Sequence, residues 1–225
     1  MLTDDCDVFW LDPASGDPGG DGLAPDEESR ASAMRQPKAR AAFVSTRRLL
    51  RRLLGARVGI APERLVFVTN ENGKPRLRDG GVHFNVAHCE GHALIALRKA
   101  GPVGVDVERV PEILPERDAM ARRVLTPREQ RWLRARPEPG RTRDFMRLWV
   151  VKEAFAKCLG FGLSGPLQEL EAEIDDDGPR ALRWLGHPER CFTATVVSLA
   201  EGVVAALVAE AISPGAPTGR FPRSP

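Results

Sequence analysis

Residues 101–110, GPVGVDVERV, carry the strictest local pattern in the chain. Val103, Val105 and Val107 alternate with Gly104, Asp106 and Glu108, and successive side chains of a strand point to opposite faces. The segment therefore reads as a strand with valines on one side and a glycine and two carboxylates on the other. Any fold that accepts it must set a core against the valines and give both acids a reason to share the opposite face. The polar face of an edge strand is the plain reading of the acids. A site that uses them is the other.

The remaining chain supplies the elements around this strand. After a short apolar start, the Gly, Pro, Asp and Ser of residues 9–29 predict a long surface loop leading into a helix capped near Asp26 or Ser29. From Ala39 to Leu54, Phe43, Val44, Leu49, Leu50, Leu53 and Leu54 recur at helical spacing, with Gly55 as the stop. RLVFVTNENGKPRL predicts a strand and a tight turn, and residues 82–108 predict a short strand, a hairpin around RKAGP and the valine strand. TPREQRWLRAR and RDFMRLWVVKEAFAKCLG predict two helices separated by PEPGR, and FTATVVSLAEGVVAALVAE a closing hairpin. Each half thus ends in a hairpin after a helix. That order predicts an α+β chain of two similar halves: an N-terminal α+β subdomain at 1–103, a C-terminal one at 104–211, and a disordered tail at 212–225.

Composition narrows the class. With 225 residues, 42% of them apolar, the chain can bury a real core. Its 33 Lys and Arg against 31 Asp and Glu leave a net charge of +2, too small for a nucleic-acid binder. Cys6, Cys89, Cys158 and Cys191 have no paired spacing, which argues for buried thiols in a reducing cytoplasm. The acidic start and the lack of a long apolar run predict neither a signal peptide nor a membrane span.

In LWVVKEAFAKCLG, helical spacing puts Trp149, Glu153 and Lys157 on one face. A lone Glu–Lys pair at this spacing is ordinarily a solvated ion pair. Asp106, Glu108 and Glu153 together with Lys157 suggest instead a hard-cation site, because Mg²⁺ takes oxygen ligands and completes its shell with water and phosphate. HFNVAH offers His83 and His88, usually structural beside an apolar run, with a phosphate contact by His88 as the functional option. NENGKP has tight-turn chemistry, with Lys74 placed where it can meet an anion.

Taken in order, NENGKPRL, HFNVAHCEGHALIAL, GVDVE and WVVKEAFAKCLGFGL resemble the motifs of the Sfp-type 4′-phosphopantetheinyl transferases, over roughly residues 30–210. The resemblance implies a pseudo-twofold pair of α+β subdomains, each a small antiparallel sheet packed on a long helix, with coenzyme A between them. It implies transfer of 4′-phosphopantetheine from coenzyme A to a serine of an apo acyl or peptidyl carrier protein, leaving 3′,5′-ADP. By the same resemblance Asp106, Glu108 and Glu153 hold Mg²⁺, for which Mn²⁺ is a substitute. Glu153 takes the serine proton, with Glu108 its rival, and Lys157 stabilises or protonates the departing phosphate. His88 and Lys152 face coenzyme A, Lys74 with Pro75 lines the adenine side, and the protein works as a cytoplasmic monomer. The chain departs from the family twice. Ala87 replaces a serine before the motif histidine, and Ala42 stands where an arginine meets the 3′-phosphate, leaving Arg40 or Arg47 to substitute.

Between Arg122 and Arg147, nine arginines face only Glu129, Glu138 and Asp144. This is either a solvated helix face or a surface for an acidic carrier protein. Two other classes compete with a transferase. A catalytically silent binding protein would lack one of the acids or Lys157, and an unrelated Mg²⁺-dependent phosphotransferase would carry a Gly-rich phosphate loop; neither condition is met.

Overall fold

The computed structural model describes residues 6–11, 22–90, 92–162, 165–175 and 178–211. The expected tail at 212–225, and 12–21 of the expected loop, lie outside them. Strand β1 (Cys6–Leu11) precedes helices α1 (Pro25–Ala33) and α2 (Pro37–Val58), then β2 (Phe67–Thr69) and β3 (Pro75–Leu77). The hairpin β4 (His83–Cys89) and β5 (His92–Arg98) leads to β6 (Val103–Arg109), the valine strand. Three helices follow: α3 (Arg117–Val124), α4 (Pro127–Ala135) and α5 (Glu138–Leu159). Strands β7 (Leu170–Asp175), β8 (Gly178–Trp184), β9 (Cys191–Ala200) and β10 (Val203–Glu210) close the described chain.

All pairings are antiparallel, as an α+β fold of hairpins requires. A three-stranded sheet runs β1-β5-β4, a five-stranded sheet runs β6-β10-β9-β8-β7, and β2 pairs β3 alone. One long helix serves each large sheet. Leu49, Leu50 and Leu54 of α2 cluster with Phe84, Ala93, Ile95 and Leu97, while Phe145, Leu148, Val151 and Phe155 of α5 cluster with Leu182, Phe192, Val204, Ala206 and Val208. A third cluster joins the sheets, with Val103, Val105, Val107, Ala205 and Leu207 against Cys6, Val8, Ala87, Leu94 and Ala96. Helix, sheet, sheet and helix thus follow one another in layers.

Several local expectations change. The segment around RKAGP is no hairpin: β5 pairs β1 and β4, whereas β6 pairs β10. The chain crosses there from one sheet to the other, because the valines need the opposing sheet more than a ladder with β5. α2 runs through Gly55 to a left-handed Gly59; a Cβ at Gly55 would stand 2.6 Å from the Ile60 carbonyl oxygen, so this glycine serves close packing. α1 starts after Ala24, not Asp26 or Ser29, and the Ala24 amide donates to Glu27 Oε2 at 3.1 Å. That buried carboxylate also takes Arg47 and Arg51 and so joins α1 to α2. α5 begins inside PEPGR, at Glu138.

Candidate active site

The acids of β6 do not face solvent. Their side of the strand packs on α5, so closely that a Cβ on Gly104 would stand 1.9 Å from the Ala154 carbonyl oxygen and 2.4 Å from the Cys158 amide nitrogen. Glycine is required there because backbone meets backbone. Two and four residues on, Asp106 and Glu108 look onto the same helix, where Glu153 and Lys157 lie one turn apart.

Asp106 is 3% exposed. Its Oδ1 accepts from Lys157 Nζ at 2.5 Å, while its buried Oδ2 has no hydrogen-bond partner. Such an orphaned oxygen costs free energy unless a cation or donor meets it. Burial lifts the Asp106 carboxyl above the usual carboxylate range, with Lys157 pulling the other way. Glu108 is raised by burial first and then by Asp106 and Glu153; Glu153 is raised by burial and then by Asp106. Lys157 opposes the rise in both. The three acids therefore burden one another, and Lys157 is the cation all three feel. Among the described residues, no three His, Cys, Asp or Glu side chains stand in a ready metal-ligating array.

The other expected residues divide. His88, exposed on β4, has its imidazole held down by partial desolvation and then by Lys157, Arg47 and Arg30. The field of Lys157 at this imidazole puts β4 in the same electrostatic neighbourhood as the acids. Arg47 pairs with Glu27 and lies over the Phe67 ring at 4.8 Å. Arg40 is exposed in the first turn of α2 and makes no side-chain hydrogen bond or ion pair among the described residues. Pro75 opens β3, opposite Thr69.

The matches to known proteins follow this geometry. A model of the 4′-phosphopantetheinyl transferase superfamily matches residues 102–208, from β6 through α5 to β10. The 4′-phosphopantetheinyl transferase HetI of Nostoc sp. is 32% identical over 165 residues, 72% of this chain and 69% of its own. The chain belongs to this superfamily. The 4′-phosphopantetheinyl transferase Sfp of Bacillus subtilis is 30% identical over 148 residues, 65% of this chain and 64% of its own. A holo-(acyl-carrier-protein) synthase from Bacillus anthracis, solved in complex with CoA, is a partial likeness: 23% identity, TM-score 0.40, 48% of this chain and 92% of that one.

Within this transferase superfamily, one residue of the expected site is misplaced. Lys152 does not face a cleft. Its side chain is fully buried, 2.7 Å from Glu129 Oε2, and donates to the carbonyls of Leu167 and Leu170 at 2.8 and 2.6 Å. Glu129 in turn accepts from the Thr126 and Ala172 amides. The pair fastens α4 and β7 to α5, and removing one member of such a pair typically costs about 3–5 kcal/mol. Lys74 is also committed: its ammonium donates to the carbonyls of Cys158 at 2.6 Å and Val103 at 3.3 Å, and burial holds it below the ordinary lysine value. Two residues escaped the sequence reading. Arg30, over the Phe43 ring at 5.1 Å, adds to the positive field at His88. Buried Asn85 accepts from the Val105 amide at 2.9 Å and bridges the two sheets. For Arg30 the only signal was a basic residue in the last turn of α1.

Proposed function

We propose that the protein transfers the 4′-phosphopantetheine arm of coenzyme A to a serine of an apo acyl or peptidyl carrier protein, giving holo carrier protein and 3′,5′-ADP. The observation that carries this reading is the pair of buried Asp106 with half-buried Lys157 beside Glu108 and Glu153, on β6 and α5 within the span of the family match. Coenzyme A would lie between subdomains 1–103 and 104–211. Asp106, Glu108 and Glu153 offer a divalent cation hard oxygen donors, and Asp106 Oδ2 lacks a partner, but the three side chains would have to draw together to hold it. Mg²⁺, or Mn²⁺ in its place, would supply charge neutralisation at the pyrophosphate.

The chain's own groups do the rest. The serine Oγ attacks the β-phosphorus, the bond from that phosphorus to the bridging oxygen breaks, and the bridging oxygen leaves on the α-phosphate of 3′,5′-ADP. Glu153 takes the serine proton, because its raised basicity and half-exposed position suit a base that meets a second protein. Glu108 is the alternative base. Lys157 meets the charge developing on the leaving group, and Arg47 with Arg30 forms a positive wall for the remaining phosphates, beside which the neutral His88 ring offers an N–H donor. Arg30 and Arg47 take over where Ala42 offers nothing.

Incubating the protein with coenzyme A, Mg²⁺ and a panel of apo carrier proteins tests this reading by mass spectrometry. A gain of one phosphopantetheine on at least one carrier is expected, and no gain on any would sink it. Lys157→Ala is expected to lower kcat about a hundredfold with a smaller change in apparent coenzyme A affinity, since a leaving-group contact strengthens as charge develops. Weakened affinity at unchanged kcat would make Lys157 a binding residue only.

An acidic carrier protein is the acceptor we infer. Arg122, Arg123 and Arg131 are exposed on α3 and α4 without an ion pair among the described residues, and Arg128 meets only Glu171. Glu129, Glu138 and Asp144 are taken by Lys152, by Arg117 and Arg141, and by Arg136. Raising salt should therefore weaken the carrier's apparent affinity, and replacing the four arginines by serine should flatten that dependence. Unchanged carrier affinity in that variant at low salt would place docking elsewhere. A cytoplasmic monomer suits this role. Cys6, Cys89 and Cys158 are buried and form no disulfide, and no described helix is long and apolar enough to cross a membrane.

A further inference from the structure

We propose that Asn70, Asn72 and Lys74 are positioning residues: from the first subdomain they cap the C-terminus of α5 and thereby fix Glu153 and Lys157. The inference rests on the transferase reading for the meaning of its kinetics, but not for its geometry.

The last carbonyls of a helix have no partner within the helix. At the end of α5, three side chains of one turn supply the donors. Asn70 Nδ2 donates to the Gly160 carbonyl at 3.2 Å and Asn72 Nδ2 to the same oxygen at 2.9 Å. Lys74 Nζ donates to the Cys158 carbonyl at 2.6 Å, a cation at the helix end where the peptide dipoles favour one. The turn is built for this. Asn70 Oδ1 accepts from the Asn72 and Lys74 amides at 3.1 and 2.7 Å, and Gly73 takes a φ of 83°, so the backbone closes upon one asparagine and turns its amide nitrogen to Gly160.

The other long helix supplies the contrast. α2 and α5 both end on left-handed glycines, Gly59 at φ 72° and ψ 26° and Gly160 at φ 74° and ψ 32°. Nothing lies within 4 Å of a Cβ built on Gly59, whereas one on Gly160 would stand 2.6 Å from Asn70 Nδ2 and 3.1 Å from Lys74 Cδ. The two helices end alike, but α2 is tied there through the Arg57 side chain to Asp7, whereas at α5 donors from another element meet the terminal carbonyls themselves. Lys74 reaches further, to the Val103 carbonyl at the start of β6, so one ammonium ties together the end of α5 and the strand of Asp106 and Glu108. Cys158 directly follows Lys157, so its carbonyl fixes the backbone from which that ammonium reaches Asp106.

The test uses the full chain as Asn72→Ala, Lys74→Met, Lys74→Arg and the double variant Asn72→Ala/Lys74→Met. Amide hydrogen exchange is followed at residues 156–162, with 56–60 as control, alongside kinetics on a carrier that the wild type modifies. In the double variant, exchange at 156–162 is expected to rise about tenfold, as for a frayed helix end, with 56–60 unchanged. Its kcat should fall about tenfold to a hundredfold, the cost of misplacing reacting groups, with KM for coenzyme A held within about twofold. Lys74→Arg, which keeps a cation and donors at the carbonyls, should recover most of the kcat lost in Lys74→Met. Exposed Asn72 is safe for folding, so Asn72→Ala alone should show a smaller shift of the same sign. Unchanged exchange at 156–162 in every variant overturns the proposal. So does a raised KM for coenzyme A at unchanged kcat, which would make Lys74 a substrate contact. A wild-type chain that modified no carrier would sink the transferase reading, while the exchange measurement would still decide the cap.

Discussion

Asp106→Ala and Glu108→Ala are expected to abolish carrier modification, lowering turnover by about three orders of magnitude, while the protein stays folded. The fold survives because β6 is held by its valines, by its ladder with β10 and by Gly104 on α5, none of which uses a carboxylate. Asp106 itself is costly to keep. Its pKa is raised in the folded state, so the ionised form weighs against folding near neutral pH, and that cost fades as pH falls through the folded value. Asp106→Asn removes the buried charge with little change of shape, and should melt at or above the wild-type temperature at pH 7 while remaining inactive. Glu108→Gln should behave likewise, since Asp106 and Glu153 both push against it. Circular dichroism melts beside the carrier assay decide the matter. Near-normal turnover in both alanine variants would remove the acids from the chemistry, and a collapse of the melting transition in Asp106→Asn would make the residue structural.

That the two acids share one face was legible from alternation alone, because a strand has a period of two whatever covers it. What covers it was not. The crowding at Gly104 comes from the backbone of Ala154 and Cys158, some fifty residues away, which no local pattern announces. Lys152 illustrates the same limit. It neighbours Glu153 in the motif, yet helical rotation turns it to the far side of α5, and its partner Glu129 sits on a separate helix. The break between β5 and β6 was hidden by turn chemistry: Lys99, Ala100, Gly101 and Pro102 suit a hairpin, and only the long-range pairing with β10 shows that none forms. The short helix α3 and the outer strands β7 and β8 left no strong period, since their exposed faces mix charges with few apolar positions. Local pattern thus revealed which residues carry chemistry, and packing decided which of them meet.

Gly104→Ala is expected to be the most disruptive single-methyl change in the described chain. At most positions an added methyl displaces a side chain. Here it would press against the Ala154 carbonyl oxygen and the Cys158 amide, both fixed by the hydrogen bonding of α5. Helix and strand must separate, and overpacking that moves backbone costs typically about 1–3 kcal/mol, occasionally more. The direction of movement matters as much. Any shift of α5 away from β6 lengthens the 2.5 Å contact of Lys157 with Asp106 and draws Glu153 from the other acids. The variant should therefore melt at a lower temperature and, at temperatures where it is still folded, lose about a hundredfold in kcat, as displacement of reacting groups by about 1 Å can cost. Gly140, where a Cβ would meet nothing within 4 Å, provides the control: Gly140→Ala should leave turnover unchanged. If Gly104→Ala keeps wild-type turnover while folded, the closeness of strand and helix does not set the catalytic geometry, and the acids must find their places by side-chain freedom alone.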